Sequence, residues 1–150
     1  MRSVADFYQD CIAAVDQQPP LDVQLADAVS CVLAEDVRAP FNLPVADLAA
    51  CDGYAVRASD CSRAALDAPV TLPVTEEIRA GVVDPAALVP GTAIRIASGA
   101  PVPAGADAVV ALEFTDHGVA EVGVRSAPAV GENIRRRAED VAEGQVVLRS

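Results

Sequence analysis

The sequence predicts an α+β fold, mainly β in the middle of the chain, with helices at its N-terminal end. Residues 3–16 carry apolar side chains at helical spacing. From about residue 53, short Val- and Ile-rich runs alternate with Gly and Pro, which is typical of strands joined by turns. The apolar residues are mainly small or β-branched, with 30 Ala and 23 Val against 3 Phe and 2 Tyr, and this composition also favours strands.

The first helix is predicted over residues 3–16. Ser3 followed three positions later by Asp6 matches the start of a helix, because each side chain can accept a hydrogen bond from the other's backbone N–H. Cys11 lies on the apolar stripe of this helix. We expect its thiol to be buried there as a small hydrophobic group.

A second helix is predicted from about Val23 to Leu33, with Asp22 as its cap. The remainder of the chain is expected to form short strands. The segment Asp116-His117-Gly118 lies between two alternating runs and predicts a hairpin. The expected strands are the runs YAVR, PVTLPV, AIRIAS, DAVVALEF, VAEVGV and QVVL.

The simplest organisation of these elements is two lobes. Residues 45–132 are expected to form a compact β-lobe, inserted into an elongated lobe that consists of residues 1–44 and 133–150. If the β-lobe is inserted, the segments 38–46 and 130–140 must run side by side where the lobes join.

The charge balance excludes several classes of partner. There are 22 acidic residues against 11 basic ones, all of them Arg, and the net charge is −11. Such a charge repels phosphate backbones and anionic lipid, so we expect no nucleic-acid and no membrane partner. No run approaches the ~20 apolar residues of a transmembrane helix, and no signal core is present. Four Cys without a CxxC pair and one His predict no zinc site, so we expect a cytoplasmic, reduced protein.

Three segments place polar groups beside Gly, Pro or clustered charges. Asp52 precedes a Gly at the start of a strand, which indicates either a turn or a site. Ser98 and the N–H of Gly99 follow another strand, where they can donate to an oxyanion or belong to a rigid connecting loop. The three arginines of residues 135–137 precede Asp140. They can bind a polyanion beside a metal-binding acid, or form a salt-bridged surface.

Taken in order, these segments resemble the signature blocks of the MoeA/gephyrin family of molybdopterin molybdenumtransferases, over almost the whole chain. Family members commonly carry Asp-Asn-Ser and a Met before Asp-Gly-Tyr-Ala, whereas residues 46–51 read ADLAAC here. The family's Gly in the Arg-rich block is Ala138, whose Cβ disfavours a left-handed backbone. The blocks that carry the resemblance are LADAVSCVLAEDVRAP, DGYAVRASD, RIASGAPVPAGADAVVALE and GENIRRRAEDVAEGQVVL.

The resemblance implies the N-terminal part of an enzyme that inserts molybdate into adenylylated molybdopterin with Mg²⁺ and releases AMP. It also implies a homodimer, in which the β-lobe of one subunit and a molybdopterin-binding domain of its partner form the cleft. Carried over by position, the implied catalytic residues are Asp52, Ser98 and Asp140, with Asp52 and Asp140 as metal ligands. The implied substrate-binding residues are Gly99, Arg135 and Arg137.

Two functional hypotheses follow. The first is this enzyme part, which the retained Asp52, Ser98 and Asp140 favour. The second is a noncatalytic, truncated relative that acts as a dimerisation or scaffold module, which the altered residues 46–51 favour. Because the resemblance stops at Ser150, before the family's molybdopterin-binding domain, we expect these 150 residues to be inactive alone.

Overall fold

The computed structural model describes residues 2–16 and 18–150, in two compact units. One unit runs up to Val37 and includes Leu148–Ser150, and the other is Arg38–Val147. The lobe boundaries expected at residues 45 and 132 stay a prediction. Within the described residues, every helix is too short or too polar to cross a bilayer.

The first predicted helix is confirmed as α1 (Val4–Ala13). Its N-terminus has the expected reciprocal cap: the Asp6 N–H donates to Ser3 Oγ, and the Ser3 N–H donates to Asp6 Oδ2, both at 3.1 Å. The hydroxyl and N–H of Ser3 hold the pKa of Asp6 below its ordinary value. The expectation of a buried Cys11 thiol is wrong, because none of the residues of α1 is buried and Cys11 is exposed.

The second predicted helix is wrong. Only a single 3-10 turn forms, over Leu25–Asp27, and it begins after Gln24 without a side-chain cap from Asp22. Ser30 has a φ of 71°, which interrupts a right-handed helix. Leu25 is 90% exposed, so the apolar pattern has nothing to pack against, and packing is what stabilises most short helices.

The strands in the described residues are β1 (Val37–Arg38), β2 (Leu48–Ala49), β3 (Gly53–Val56), β4 (Val70–Ile78), β5 (Ala93–Ile96), β6 (Ala108–Ala111), β7 (Glu121–Val124), β8 (Ile134–Arg135) and β9 (Val146–Leu148). The second unit is built around a five-stranded sheet in the order β6-β3-β5-β4-β7. β3 is antiparallel to both β5 and β6, while β4 is parallel to β5 and antiparallel to β7. The runs predicted as strands do form strands.

The predicted hairpin is only partly present. The turn forms, with the Asp116 carboxylate accepting from the N–H groups of Gly118 and Gly123 at 3.1 and 2.9 Å. However, β6 and β7 are opposite edges of the sheet, because a 3-10 turn after β6 redirects the chain. The chain just after β6 meets the end of β7 at the Thr115–Val124 bridge, where the Arg125 N–H also donates to the Phe114 carbonyl, so the sheet curls.

The core of this unit consists of two apolar clusters. The central strand β3 contributes to both, because its side chains alternate between the two faces: Tyr54 and Val56 join one cluster and Ala55 the other. All four β3 residues are buried. The Tyr54 hydroxyl is satisfied by donating to the Gly118 carbonyl at 2.8 Å. Burial on both faces therefore fixes the strand that begins directly after Asp52.

The segments 38–46 and 130–140 run side by side, as expected from the sequence. The N–H of Asp140 donates to Leu43 and that of Ala138 donates to Pro44, both at 3.0 Å. β8, which lies within the second segment, pairs antiparallel with β2, which follows the first segment. This ladder holds the Arg-rich segment against the strand that leads to Asp52.

Candidate functional site

Asp52 and Ser98 are in direct contact. The Ser98 N–H donates to Oδ1 of Asp52 at 2.7 Å, and Ser98 Oγ makes a long 3.4 Å bond to the Ala50 carbonyl. The register explains the contact: Gly53 at the start of β3 lies opposite Ile96 at the end of β5. The residue before β3 is therefore placed beside the loop that follows β5.

Gly53 is required by a close approach between strands. A Cβ at this position would lie 2.1 Å from the Val110 carbonyl oxygen on β6. The Asp-Gly dipeptide is thus not a simple turn here, because its Gly is the first residue of a buried strand. The tight β3–β6 contact fixes the backbone at Asp52.

Asp52 lines a small cavity with a volume of about 100 Å³. Glu77 and Arg95, opposite each other in the β4–β5 register, also line it. The half-buried Arg95 guanidinium makes no hydrogen bond or ion pair within the described residues, whereas exposed Glu77 lies 3.5 Å from Arg79. Sequence reasoning did not single out Glu77 or Arg95. The available signal was an Arg in the middle of the apolar run AIRI.

Gly99 adopts a left-handed backbone with a φ of 76°, which explains the Gly. Its N–H donates to the Ala49 carbonyl at 2.9 Å, and is therefore already used. A Cβ at Gly99 would meet no atom within 4 Å, so the loop is open to close approach by a ligand. In this structure, the loop offers the Ser98 hydroxyl and an open surface rather than a free N–H at Gly99.

The Arg-rich segment forms a second group of polar contacts. The Arg135 guanidinium donates to Asp140 in an ion pair, and the Arg136 guanidinium lies 2.8 Å from Asp47. The Arg137 guanidinium makes no ion pair with the residues that the structure describes. Within residues 2–16 and 18–150, no hydrogen bond or ion pair joins Asp140 to Asp52. The structure thus brings together Asp52 with Ser98, and Arg135 with Asp140, as two separate groups.

Ala138 adopts the left-handed conformation that its Cβ was expected to disfavour, with a φ of 63°. Neighbouring hydrogen bonds hold it there: its own N–H donates to Pro44, and the N–H of Asp140 donates to Leu43. The backbone of this block therefore keeps the conformation that suits Gly, although Ala occupies the position.

Asp47 was missed by sequence reasoning, which weighed only the absent Asn and Ser of residues 46–51. Its Oδ1 accepts from the Arg137 N–H at 2.7 Å and its Oδ2 from Arg136 at 2.8 Å. The Arg137 N–H, and to a smaller extent the Arg136 guanidinium, hold the pKa of Asp47 below its ordinary value against the opposing effect of burial. The sequence does contain the acid and the run of arginines. That they pair with each other follows only from the register of β2 and β8, which the sequence does not give.

The carboxylates that the structure describes are too few to form a complete Mg²⁺ site, and they fit Mg²⁺ only if the substrate supplies further oxygen ligands. In the described residues, no group of three or more His, Cys, Asp or Glu is arranged to hold a metal. Mg²⁺ commonly keeps several waters and binds one or two carboxylates together with substrate phosphates. Asp52 has one oxygen bonded to Ser98, and its Oδ2 accepts no hydrogen bond from the described residues. Asp140 would have to exchange its bond from Arg135 for a metal bond.

The comparison with known families decides the relationship. The family described as MoeA N-terminal region (domain I and II) matches residues 2–150. This chain belongs to that family. It is similar to molybdopterin molybdenumtransferase 2 of Mycobacterium tuberculosis, with 48% identity over 148 residues that cover 99% of this chain and 36% of that protein. A molybdopterin molybdenumtransferase of Bacillus subtilis is 40% identical over 101 residues, which cover 65% of this chain and 24% of that protein.

Solved structures support the same fold. A molybdopterin biosynthesis MoeA protein of Pyrococcus horikoshii superposes with a TM-score of 0.79 and 41% identity, covering 85% of this chain and 34% of that one. Another structure of a MoeA protein from this organism superposes with a TM-score of 0.72 and 33% identity, covering 77% of this chain and 30% of that one. The predicted MoeA-like α+β fold is confirmed. This MoeA N-terminal region spans about a third of the length of the M. tuberculosis relatives.

Proposed function

We propose that this chain supplies the N-terminal part of an enzyme that inserts molybdate into adenylylated molybdopterin and releases AMP. The observation that carries the proposal is the 2.7 Å bond from the Ser98 N–H to Asp52, beside a cavity that Arg95 also lines. It leaves one Asp52 oxygen without a hydrogen bond from the described residues, next to a hydroxyl. A carboxylate oxygen can hold a cation and a hydroxyl can donate to an oxyanion, and both stabilise a transferred oxyanion; the relatives named molybdopterin molybdenumtransferase add support.

Each residue has a distinct role in this proposal. Asp52, through its Oδ2, would hold Mg²⁺, which would offset the negative charge of phosphate and molybdate. The Ser98 hydroxyl exchanges its long bond to Ala50 for a substrate oxygen. The open surface at Gly99 admits the substrate, and the Arg137 guanidinium binds its anionic end.

Arg135 and Asp140 act as a pair in this proposal. The ion pair keeps the Asp140 carboxylate at the Arg-rich segment until substrate arrives. Arg135 binds the anionic substrate, and Asp140, once released from Arg135, would be the second acid that holds the cation. We further propose that the protein acts in the cytoplasm as a homodimer, in which a molybdopterin-binding domain of the partner completes the cleft. The relatives extend beyond the region that this chain matches, which leaves room in them for a further domain.

A second candidate is a noncatalytic dimerisation or scaffold module. Two observations favour it: the altered residues 46–51, and the ion pair that occupies Asp140. The two candidates differ in one measurable property, because only the enzyme part supports turnover when the missing half of the cleft is supplied.

The test is a chimera in which this chain replaces the aligned 148 residues of the M. tuberculosis relative. Turnover is followed by AMP release and by reconstitution of a molybdenum-dependent apo-enzyme. We expect the chimera to be active, the 150 residues alone to be inactive, and Asp52→Asn to slow turnover on the order of a hundredfold. Asp67→Asn is the matched control, since Asp67 is an exposed acid without a hydrogen bond or ion pair to the described residues. A folded but inactive chimera would establish the scaffold instead.

A further inference from the structure

Asp47 joins all three candidate segments. We propose that it is a positioning residue, which fixes the Arg-rich segment (residues 135–140) against the Ser98 loop (residues 98–103). This inference rests on the proposed function, since it concerns how the same site is held. Asp47 does not need to touch substrate for this role, because it acts through the arginines that it orients.

The carboxylate of Asp47 is hydrogen-bonded to the Arg-rich segment. Its two oxygens accept from different groups, the Arg137 N–H at 2.7 Å and the Arg136 guanidinium at 2.8 Å. Two donors from adjacent residues fix both the position and the plane of the carboxylate. A simple surface ion pair has no such backbone contact. The geometry therefore constrains the course of the main chain at Arg137.

The main chain of Asp47 is hydrogen-bonded to the Ser98 loop. Its carbonyl accepts from the Val102 N–H at 2.9 Å. Two residues further on, Ala49 donates to the Ala100 carbonyl and accepts from the Gly99 N–H, both at 2.9 Å. The same strand then leads within three residues to Asp52. One short stretch thus bonds the Ser98 loop on one side and the Arg-rich segment on the other.

The Arg-rich segment depends on such outside anchors. Its turn is closed by the Arg136 N–H donating to Glu139 Oε2 at 2.8 Å, and by the Glu139 N–H donating to Arg136 at 3.1 Å. Inside this turn, Ala138 holds a φ of 63°, which a residue with a Cβ rarely adopts. The bonds from the Ala138 N–H to Pro44 and from the Asp140 N–H to Leu43 also hold this turn, so the loss of Asp47 chiefly frees the chain at Arg136 and Arg137. Arg135 and Arg137 would then lose their orientation towards an anionic substrate.

Two variants separate positioning from general stability. Asp47→Asn keeps an oxygen acceptor for the Arg137 N–H but removes the charge that faces Arg136. Asp47→Ala removes both contacts. We therefore expect graded effects, with Asp47→Ala the larger, on the exchange of the Arg137 amide proton. Asp67→Asn is again the control, because it removes an exposed charge without changing any hydrogen bond among the described residues.

The first measurement is amide hydrogen exchange by NMR on the 150-residue chain. In Asp47→Ala, the Arg137 amide is expected to exchange about tenfold faster or more, since a bond to a charged acceptor is lost. Amides in the core strand β3 keep their wild-type rates. Unchanged exchange at Arg137 would overturn the proposal whatever the activity.

The second measurement is the kinetics of the chimera described above. Misplaced arginines weaken substrate binding, so Asp47→Ala should raise KM for molybdate or adenylylated molybdopterin about tenfold, with a smaller change in kcat. Asp47→Asn should restore part of that loss. Faster exchange at Arg137 with unchanged KM would also overturn the proposal. An inactive wild-type chimera would count against the proposed function, while exchange at Arg137 still decides whether Asp47 fixes the segment.

Discussion

The backbone N–H of Ser98 and the carboxylate of Asp52 are joined at 2.7 Å across 46 positions of sequence. The bond exists because β3 and β5 are antiparallel in a register that places the start of one beside the end of the other. It uses one oxygen of Asp52, and so orients the other. A carboxylate held in this way needs little reorganisation when a cation or substrate arrives. Predictions about the site therefore begin with what keeps the two strands in place.

Gly53→Ala should damage both the fold and the site. The added Cβ would lie 2.1 Å from the Val110 carbonyl, so β3 must move away from β6. We expect a loss of about 1–3 kcal/mol in the free energy of unfolding, measured by urea denaturation. Gly81→Ala is the control, because its Cβ meets nothing within 4 Å and only its φ of 91° opposes the change. Gly53 lies outside the left-handed region, so its loss has no such conformational cause, and a Gly53→Ala variant as stable as wild type would contradict the close-approach explanation.

Ala138→Gly should stabilise the chain. Ala138 has a φ of 63°, and a Cβ in the left-handed region costs about 1–2 kcal/mol. Part of this gain is offset by the greater freedom of Gly in the unfolded chain, so we expect a net increase of about 0.5–1 kcal/mol. Ala142→Gly, outside the left-handed region, should give no gain. Comparison of the two urea midpoints checks this prediction, and a less stable Ala138→Gly variant would refute it.

The contribution of Asp47 to stability should depend on pH. Its pKa in the folded chain lies below the ordinary value. The stabilisation is therefore present above the unfolded pKa of about 3.9, and is lost as the pH falls through the lower folded value. Asp47→Asn should accordingly be less stable than wild type at pH 7, with the difference shrinking below pH ~4. Urea unfolding across this range measures it; a difference that persists at the lowest pH would assign the effect to lost packing.

The four thiols should differ in reactivity. Cys11 and Cys31 are exposed, whereas burial raises the pKa of the Cys61 thiol to about 11. Burial also raises the pKa of half-buried Cys51. At pH 8, iodoacetamide should modify Cys11 and Cys31 first and Cys61 last, with Cys61 at least about a hundredfold slower. Mass spectrometry of timed digests identifies the modified residues. Urea should abolish the difference; rapid modification of native Cys61 would disprove its burial.

Local signals in the sequence predicted local structure well. The Ser3–Asp6 cap of α1 involves neighbouring residues only, and the Val-rich runs became strands. The predicted Val23–Leu33 helix did not form, because its apolar face has no core to bury it. The hairpin at Asp116 formed only in part, because β6 and β7 find their main partners elsewhere in the sheet.

The candidate site shows the same division. Asp52 and Ser98 stand out in the sequence because each adjoins a Gly at a strand end. Their contact follows from the β3–β5 register, which periodicity does not specify. Asp47 and Arg95 were missed for the same reason, since their significance comes from the residues opposite them on neighbouring strands. The polar residues of the site can be found in the sequence, but the strand pairing that brings them together cannot.

The curled sheet also bears on association between copies of the chain. An open sheet edge offers unpaired N–H and carbonyl groups on which another chain can add a strand and begin to aggregate. Here the outer side of β6 is covered: the Gly131 N–H donates to the backbone carbonyl of Asp107 at 2.6 Å, and the Val109 N–H donates to the backbone carbonyl of Glu132 at 3.0 Å. At the end of β7, the Arg125 N–H donates to the Phe114 carbonyl, and the Asp116 N–H donates to the Gly123 carbonyl, so the chain after β6 covers part of this edge. The hydrogen-bonding groups at these positions are therefore not available to pair with a strand from another copy of the chain.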